Sequence, residues 1–80
     1  MRRPIIVPNV GFPTPVMSVW YARTSERIFA GDRIVELLLG AATFDVPAPC
    51  TGYLVEKIAL PPDRVVVGQI VGYIEEEPED

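Results

Sequence analysis

The chain has no histidine, one cysteine, one tryptophan and, among its seven basic residues, a single lysine, Lys57. Each shortage removes a class of chemistry. Without histidine, neither a Ser-His-Asp nor a Cys-His arrangement can be assembled, and imidazole metal ligation is excluded. The lone Cys50 cannot form an intrachain bridge, which points to a reducing compartment and a cytoplasmic chain. Its expected role is that of a small, partly buried apolar residue. No apolar run reaches the roughly 18 residues of a membrane span, so no membrane partner is expected. Arg2 and Arg3 precede a short apolar stretch, but Pro8, Asn9 and Gly11 interrupt it too early for a secretory signal. A basic stripe with interleaved aromatics is also missing, which argues against nucleic acid.

What is present is enough for one small domain. Eighty residues with 49% apolar content can close a single core, although so short a chain buries only about 60% of its unfolded surface. The net charge of −4 is concentrated at one end, because Glu75, Glu76, Glu77, Glu79 and Asp80 fill five of the last six positions. Setting those aside leaves six acids against seven bases, a nearly neutral body. Residues 1–76 are therefore expected to form the domain, and 77–80 a solvated acidic tail.

Nine prolines and six glycines cut the chain into windows too short for ordinary helices. Between them, β-branched and aromatic residues predict strands at Ile5–Val7, Val16–Tyr21, Ile34–Leu39, Thr43–Val46, Gly52–Ala59 and Ile70–Glu75. Shorter extended pieces are expected near Ile28 and Val65. An all-β chain of many short strands implies a small barrel or sandwich. An internal repeat supports two related halves: a shift of 37 residues places Glu26-Arg27-Ile28-Phe29-Ala30-Gly31 over Asp63-Arg64-Val65-Val66-Val67-Gly68. Each copy reads as a turn whose acid bonds its own backbone, an extended stretch, and a glycine in an unusual backbone conformation.

Five segments, in order, carry a family resemblance. Val7-Pro8-Asn9-Val10-Gly11 resembles the opening Pro-x-x-Gly of lipoyl domains, and Trp20 to Ile28 resembles their Trp-x-Val-Lys-x-Gly-Asp-x-Val stretch. Gly31-Asp32-Arg33-Ile34-Val35-Glu36-Leu37 is similar to Gly-Asp-x-Leu-x-Glu-Ile, and Thr43 to Leu54 to Thr-x-Glu-Val-x-Ala-Pro-x-x-Gly-x-Leu. Val65 to Val71 matches the closing Val-x-Val-Gly-x-x-Ile pattern. The resemblance is to the lipoyl/biotinyl carrier domain family, and to the lipoyl-like domains of 2-oxo acid dehydrogenase acyltransferases in particular. It implies an all-β, flattened barrel-sandwich hybrid of two four-stranded sheets with quasi-twofold symmetry.

In that family the modified lysine lies eight residues before the second proline of the Pro-Ala-Pro segment, which here is Ala41. Lipoate and biotin attach through an amide to a primary amine, and alanine offers none. The tip reads Leu38, Leu39, Gly40, Ala41, Ala42, with no lysine nearby. Lys57 is expected to be a solvated strand residue. A two-residue Gly40-Ala41 connection predicts a type II′ hairpin pairing Leu39 with Ala42, Leu38 with Thr43, Leu37 with Phe44 and Glu36 with Asp45. Leu37 and Phe44 should face the core, and Leu38 the solvent. These five tip residues form a candidate interaction hairpin, serving a homodimer or a component of a multienzyme complex.

The scattered acids Glu26, Asp32, Glu36 and Asp63 are expected to stabilise turns, with no catalytic or metal site among them. The expectation is a non-catalytic lipoyl-like domain that has lost its modifiable lysine, carries no cofactor, and works as a structural or protein-interaction module. The alternatives are a lipoyl, or less readily biotinyl, swinging-arm carrier of a 2-oxo acid dehydrogenase-type or carboxylase-type complex, and a piece of a larger enzyme or adaptor.

Overall fold

The structure, a computed structural model, describes residues 1–11 and 14–78. Its strands are β1 (Arg2–Ile6), β2 (Val16–Trp20), β3 (Arg27–Ile28), β4 (Arg33–Leu39), β5 (Ala42–Pro47), β6 (Gly52–Lys57) and β7 (Ile70–Glu76). All pairings are antiparallel, and the sheets run β1-β7-β6-β3 and β2-β4-β5. Among the described residues, no helix is long and apolar enough to cross a membrane. The expected strands all form except the piece near Val65, which corrects the expectation of two four-stranded sheets. There the chain makes a single bridge, Val16 to Arg64, held by Met17 N–H to Asp63 O at 2.8 Å and Val65 N–H to Pro15 O at 3.0 Å. Pro15, the residue opposite Val65, has no N–H to return to Val65 O, so the ladder stops at one bridge.

The repeat is a true structural twofold. A 37-residue shift carries β4 (Arg33–Leu39) onto β7 (Ile70–Glu76) end to end. It also maps the turn bonds. Glu26 Oε1 accepts from Arg23 N–H at 2.9 Å, and Asp63 Oδ2 accepts from Leu60 N–H at 2.9 Å. Asp32 Oδ2 accepts from Phe29 N–H at 3.0 Å, and Gln69 Oε1 accepts from Val66 N–H at 3.0 Å. Gly31 and Gly68 sit at φ +90° and +86°, in the left-handed region that glycine tolerates best. Ser25 stands where the family motif has glycine, yet it still adopts φ +75°.

The inward faces of both sheets meet in one apolar core, again paired by the twofold: Met17 with Leu54, Ile34 with Val71, Leu37 with Ile74, and Ile28 with Val65, all essentially buried. Trp20 covers one flank and donates its Nε1–H to Ala59 O at 2.8 Å. Two glycines admit close backbone approach from neighbouring strands. A side chain at Gly52 would strike the carbonyl of Glu75, and one at Gly72 would strike the carbonyl of Glu56 and the Trp20 ring.

The acids that close the sequence are less free than expected. β7 runs through Glu76, and Glu77 takes a two-pronged bond from Arg27 at 2.7 and 3.0 Å. Glu75 accepts from the N-terminal amine at 2.7 Å. These cations hold the Glu75 and Glu77 carboxyls below their ordinary value of 4.5, chiefly through the hydrogen bonds. Glu79 and Asp80, the end of the expected tail, lie outside the described residues.

Two predictions follow from this architecture. Gly52→Ala should lower the unfolding free energy by about 2–3 kcal/mol in urea titration, since a backbone carbonyl must move. Gly31→Ala has open space around it and only the φ penalty, so about 1 kcal/mol is expected. For pH, a carboxyl with a depressed folded pKa contributes stability above its unfolded pKa and loses it as pH falls through the folded one. The thermal midpoint should therefore drop between about pH 5 and pH 3. Arg27→Gln should flatten that drop in a pH series of melting curves.

Candidate functional site

The hairpin of β4 and β5 forms as the residue pattern requires. Gly40 has φ +62° and Ala41 is not among the positive-φ residues, which fits a type II′ connection and excludes type I′. The register pairs Leu39 with Ala42, Leu38 with Thr43, Leu37 with Phe44 and Glu36 with Asp45, as expected from the loop length. Gly40, Ala41 and Ala42 are exposed, Leu39 is half-buried, and Leu38 is 39% exposed. Leu37 is fully buried against the core.

Phe44 departs from expectation. It was expected in the core opposite Leu37, but it remains 40% exposed. The reason is position in the sheet. Leu37 is flanked on its inner face by Met17 of β2 and Phe44 of β5, whereas β5 is the last strand and has a neighbour on one side only. Of β5, only Val46 is buried.

Behind the tip, the outer face of this sheet carries a polar group. Ser18 Oγ donates to Glu36 Oε2 at 3.0 Å, and the Tyr21 hydroxyl lies 3.3 Å from Glu36 Oε1 and 3.5 Å from Asp45 Oδ1. Arg33 stacks on the Tyr21 ring at 4.7 Å and approaches Asp45 at 3.6 Å. Desolvation and then the two carboxylates raise the Tyr21 pKa, keeping it a neutral donor. The Glu36–Asp45 pairing was legible from the loop length. The Ser18 and Tyr21 partners were not, because the register of β2 against β4 shifts between Met17 and Val19.

The tip has no group that takes an acyl or biotinyl arm. Ala41 ends in a methyl, so the residues here do not fit lipoate or biotin, and no step through either group is available at this hairpin. Lys57 is neither close to the tip in sequence nor a freely solvated strand lysine as expected. It lies in the other sheet, half-buried, with Nζ 5.3 Å from the centroid of the Trp20 ring. The 37-residue shift makes Trp20 and Lys57 equivalent positions, so the two residues stack at the centre of the pseudosymmetry.

Elsewhere, Glu26, Asp32 and Asp63 cap turns as expected, whereas Glu36, also expected to stabilise a turn, lies within β4 and takes the Ser18 and Tyr21 hydroxyls. No group of three metal-ligating side chains occurs among the described residues. Cys50 is buried, and burial pushes its thiol pKa up, away from the reactive thiolate.

No protein-family model matches the chain. It is 32% identical over 77 residues to the dihydrolipoyllysine-residue succinyltransferase component of the 2-oxoglutarate dehydrogenase complex of Bartonella vinsonii subsp. berkhoffii, covering 94% of this chain. The chain spans only about a fifth (19%) of that relative's length. Its fold is similar to the solution structure of the lipoyl domain of the 2-oxoglutarate dehydrogenase complex from Azotobacter vinelandii, with a TM-score of 0.75 at 19% identity. That match covers 94% of this chain and 98% of the other.

The facing of β4 can be checked directly. Leu37→Ala should cost about 2–5 kcal/mol in chemical denaturation, as buried leucines do. Leu38→Ser, one residue on, should stay within about 0.5 kcal/mol of wild type. Equal costs would overturn the assignment of faces.

Proposed function

We propose, from the premise that this chain is a lipoyl-like domain, that it has lost the carrier chemistry of such domains and serves as a non-catalytic protein-interaction module. The observation that carries this reading is the Gly40-Ala41 connection. It occupies the place where a carrier presents its lysine, and it has no primary amine to form the amide. No cofactor is then carried. The single lysine is engaged on Trp20, away from any tight turn.

The partner that best suits this reading is a protein component of a 2-oxo acid dehydrogenase-type assembly. The relative from Bartonella is named as a component of one such complex. The exposed tip, Leu38 to Ala42, is the surface offered for docking, and Leu38 is an exposed leucine on a face otherwise shared with Glu36. Fully burying an exposed leucine is worth about 1.5–3 kcal/mol, and with 39% of Leu38 left exposed a partner that seats it gains roughly a third of that. The same reading places the chain in the cytoplasm, without nucleic-acid or membrane partners.

A working lipoyl carrier is the second reading, favoured by the relative's name. Against it, a single lysine-to-alanine replacement accounts for Ala41 but leaves Gly40, Leu38 and Leu39 unexplained. The whole tip differs from a carrier tip, which favours divergence of function over loss of one residue.

Intact-mass measurement after co-expression with lipoate and biotin ligases separates the two. The wild-type chain should gain no mass, while Ala41→Lys should gain a lipoyl group if the scaffold is otherwise kept. A lipoyl or biotinyl mass on wild type would sink the non-carrier reading.

A further inference from the structure

We infer that the outer edge of β5 is a self-recognition strand, through which two copies of the chain join their three-stranded sheets into one six-stranded sheet. This deepens the reading of the hairpin as an interaction surface and rests on it.

The free edge follows from the loop. A two-residue connection makes Leu39 and Ala42 the hydrogen-bonded closing pair, and pairs then alternate along the ladder. Ala42 and Phe44 spend their backbone groups on β4. Thr43 and Asp45 direct their N–H and C=O groups the other way, and among the described residues no strand pairs with β5 on that side.

The pseudosymmetry supplies an internal control. Val46 and Ala48 are the buried counterparts of Ile5 and Val7. Ala48 N–H donates to Asp32 O at 2.7 Å just as Val7 N–H donates to Gln69 O at 2.9 Å. Thr43, Phe44 and Asp45 therefore correspond to Arg2, Arg3 and Pro4 of β1, the edge of the other sheet. That edge is guarded in the usual way, by two charged side chains and by a proline that removes an outward donor. β5 carries a threonine and a half-exposed phenylalanine at the first two positions, and its one charge there, Asp45, has Arg33 3.6 Å away.

Its geometry also selects a second copy over an unrelated strand. In an antiparallel pair, residues directly opposite share a face, so a twofold normal to the sheet must set one residue of β5 against itself. Centred on Asp45, the pairing opposes two carboxylates. Centred on Thr43, it runs at once into the Gly40-Ala41 turn. Centred on Phe44, each Thr43 faces the other copy's Asp45 in a hydrogen-bonding pair, giving four backbone bonds. On one face the threonine hydroxyl then meets the opposing carboxylate. On the other, the two Phe44 rings cover each other at the closer, non-hydrogen-bonded spacing. No like charges meet in this register.

An edge this short buries little area, so the dimer should be weak, with a dissociation constant on the order of 1 mM or somewhat tighter. Sedimentation velocity and amide exchange on the whole chain, from micromolar to about 1 mM, test it. Wild type should show concentration-dependent dimer, with slowing of exchange at the Thr43 and Asp45 amides. Thr43→Pro, which removes an outward N–H, and Phe44→Arg, which copies Arg3, should each weaken association by about tenfold or more. Both should retain the wild-type melting temperature within a few degrees, and Leu38→Glu, one strand inward, should still dimerise. A wild type that stays monomeric at the highest concentration overturns the inference. So does a dimer lost in Leu38→Glu but kept in Phe44→Arg, an outcome that leaves the broader hairpin reading intact. Failure of the non-carrier reading shows separately, as added mass.

Discussion

Two equivalent turns hold this domain closed, and the other features depend on them. In each, an acid bonds the backbone N–H three residues upstream, a strand residue is delivered to the core, and a glycine at positive φ reverses the chain into a long strand. The delivered residues are Ile28 and Val65, both buried. Strands this short have little stability alone, since an isolated hairpin is marginal in water. Packing two sheets around one shared core is what makes them worth forming. The close approach of Gly52 to the Glu75 carbonyl and of Gly72 to the Glu56 carbonyl then locks β6 against β7 at a spacing that no other residue permits.

The twofold also explains why the hairpin tip is separable from the fold. Its counterpart in the other half is the junction between the end of β7 and the start of β1, where Glu76 N–H donates to Met1 O at 2.9 Å. At one of these positions the chain is continuous through Gly40-Ala41, and at the other it is open. Neither contributes a fully buried side chain to the core. Residues at the tip are therefore free to vary without loss of the fold, and a lysine, an alanine or a leucine there answers to function more than to folding.

Much of the fold was legible because strand period, turn acids and glycine placement agree with one another. The hairpin register could be read from the loop length alone, and the 37-residue repeat from six aligned positions. What was not legible depended on the edges of the sheets. Phe44 has the right period for the core, but period says nothing about whether a strand has neighbours on both sides. The segment at Val65 has strand-like composition, yet Pro15 opposite it lacks the N–H for a second pair and holds it to a single bridge. Lys57 looked like a solvated strand lysine, and its place over Trp20 needed the pseudosymmetry in three dimensions. Glu77 looked like the start of a free tail, and nothing local to Glu75 or Glu77 showed what would bind it. Their partners, the N-terminal amine and Arg27, lie 74 and 50 residues away in the chain and leave no local signal.

The contrast between the two edge strands links the tip to the edge. A sheet edge tolerates exposure when charge or proline makes pairing costly, and β1 has both in Arg2, Arg3 and Pro4. A carrier's hairpin has a parallel requirement, since a tip that must visit several partners gains nothing from adhering to its own kind. Polar and charged residues around a modified lysine satisfy that requirement at no cost to the core. Here the same region holds Leu38, Leu39, Ala41, Ala42 and Phe44, and the nearest charges, Glu36 and Asp45, are tied up with Ser18, Tyr21 and Arg33. Release from carrier duty would remove the pressure to keep this end of the molecule solitary. Under the proposed non-carrier reading, the missing amine and the apolar Phe44 on the sheet edge go together, because neither a modified lysine nor a solitary tip is then required.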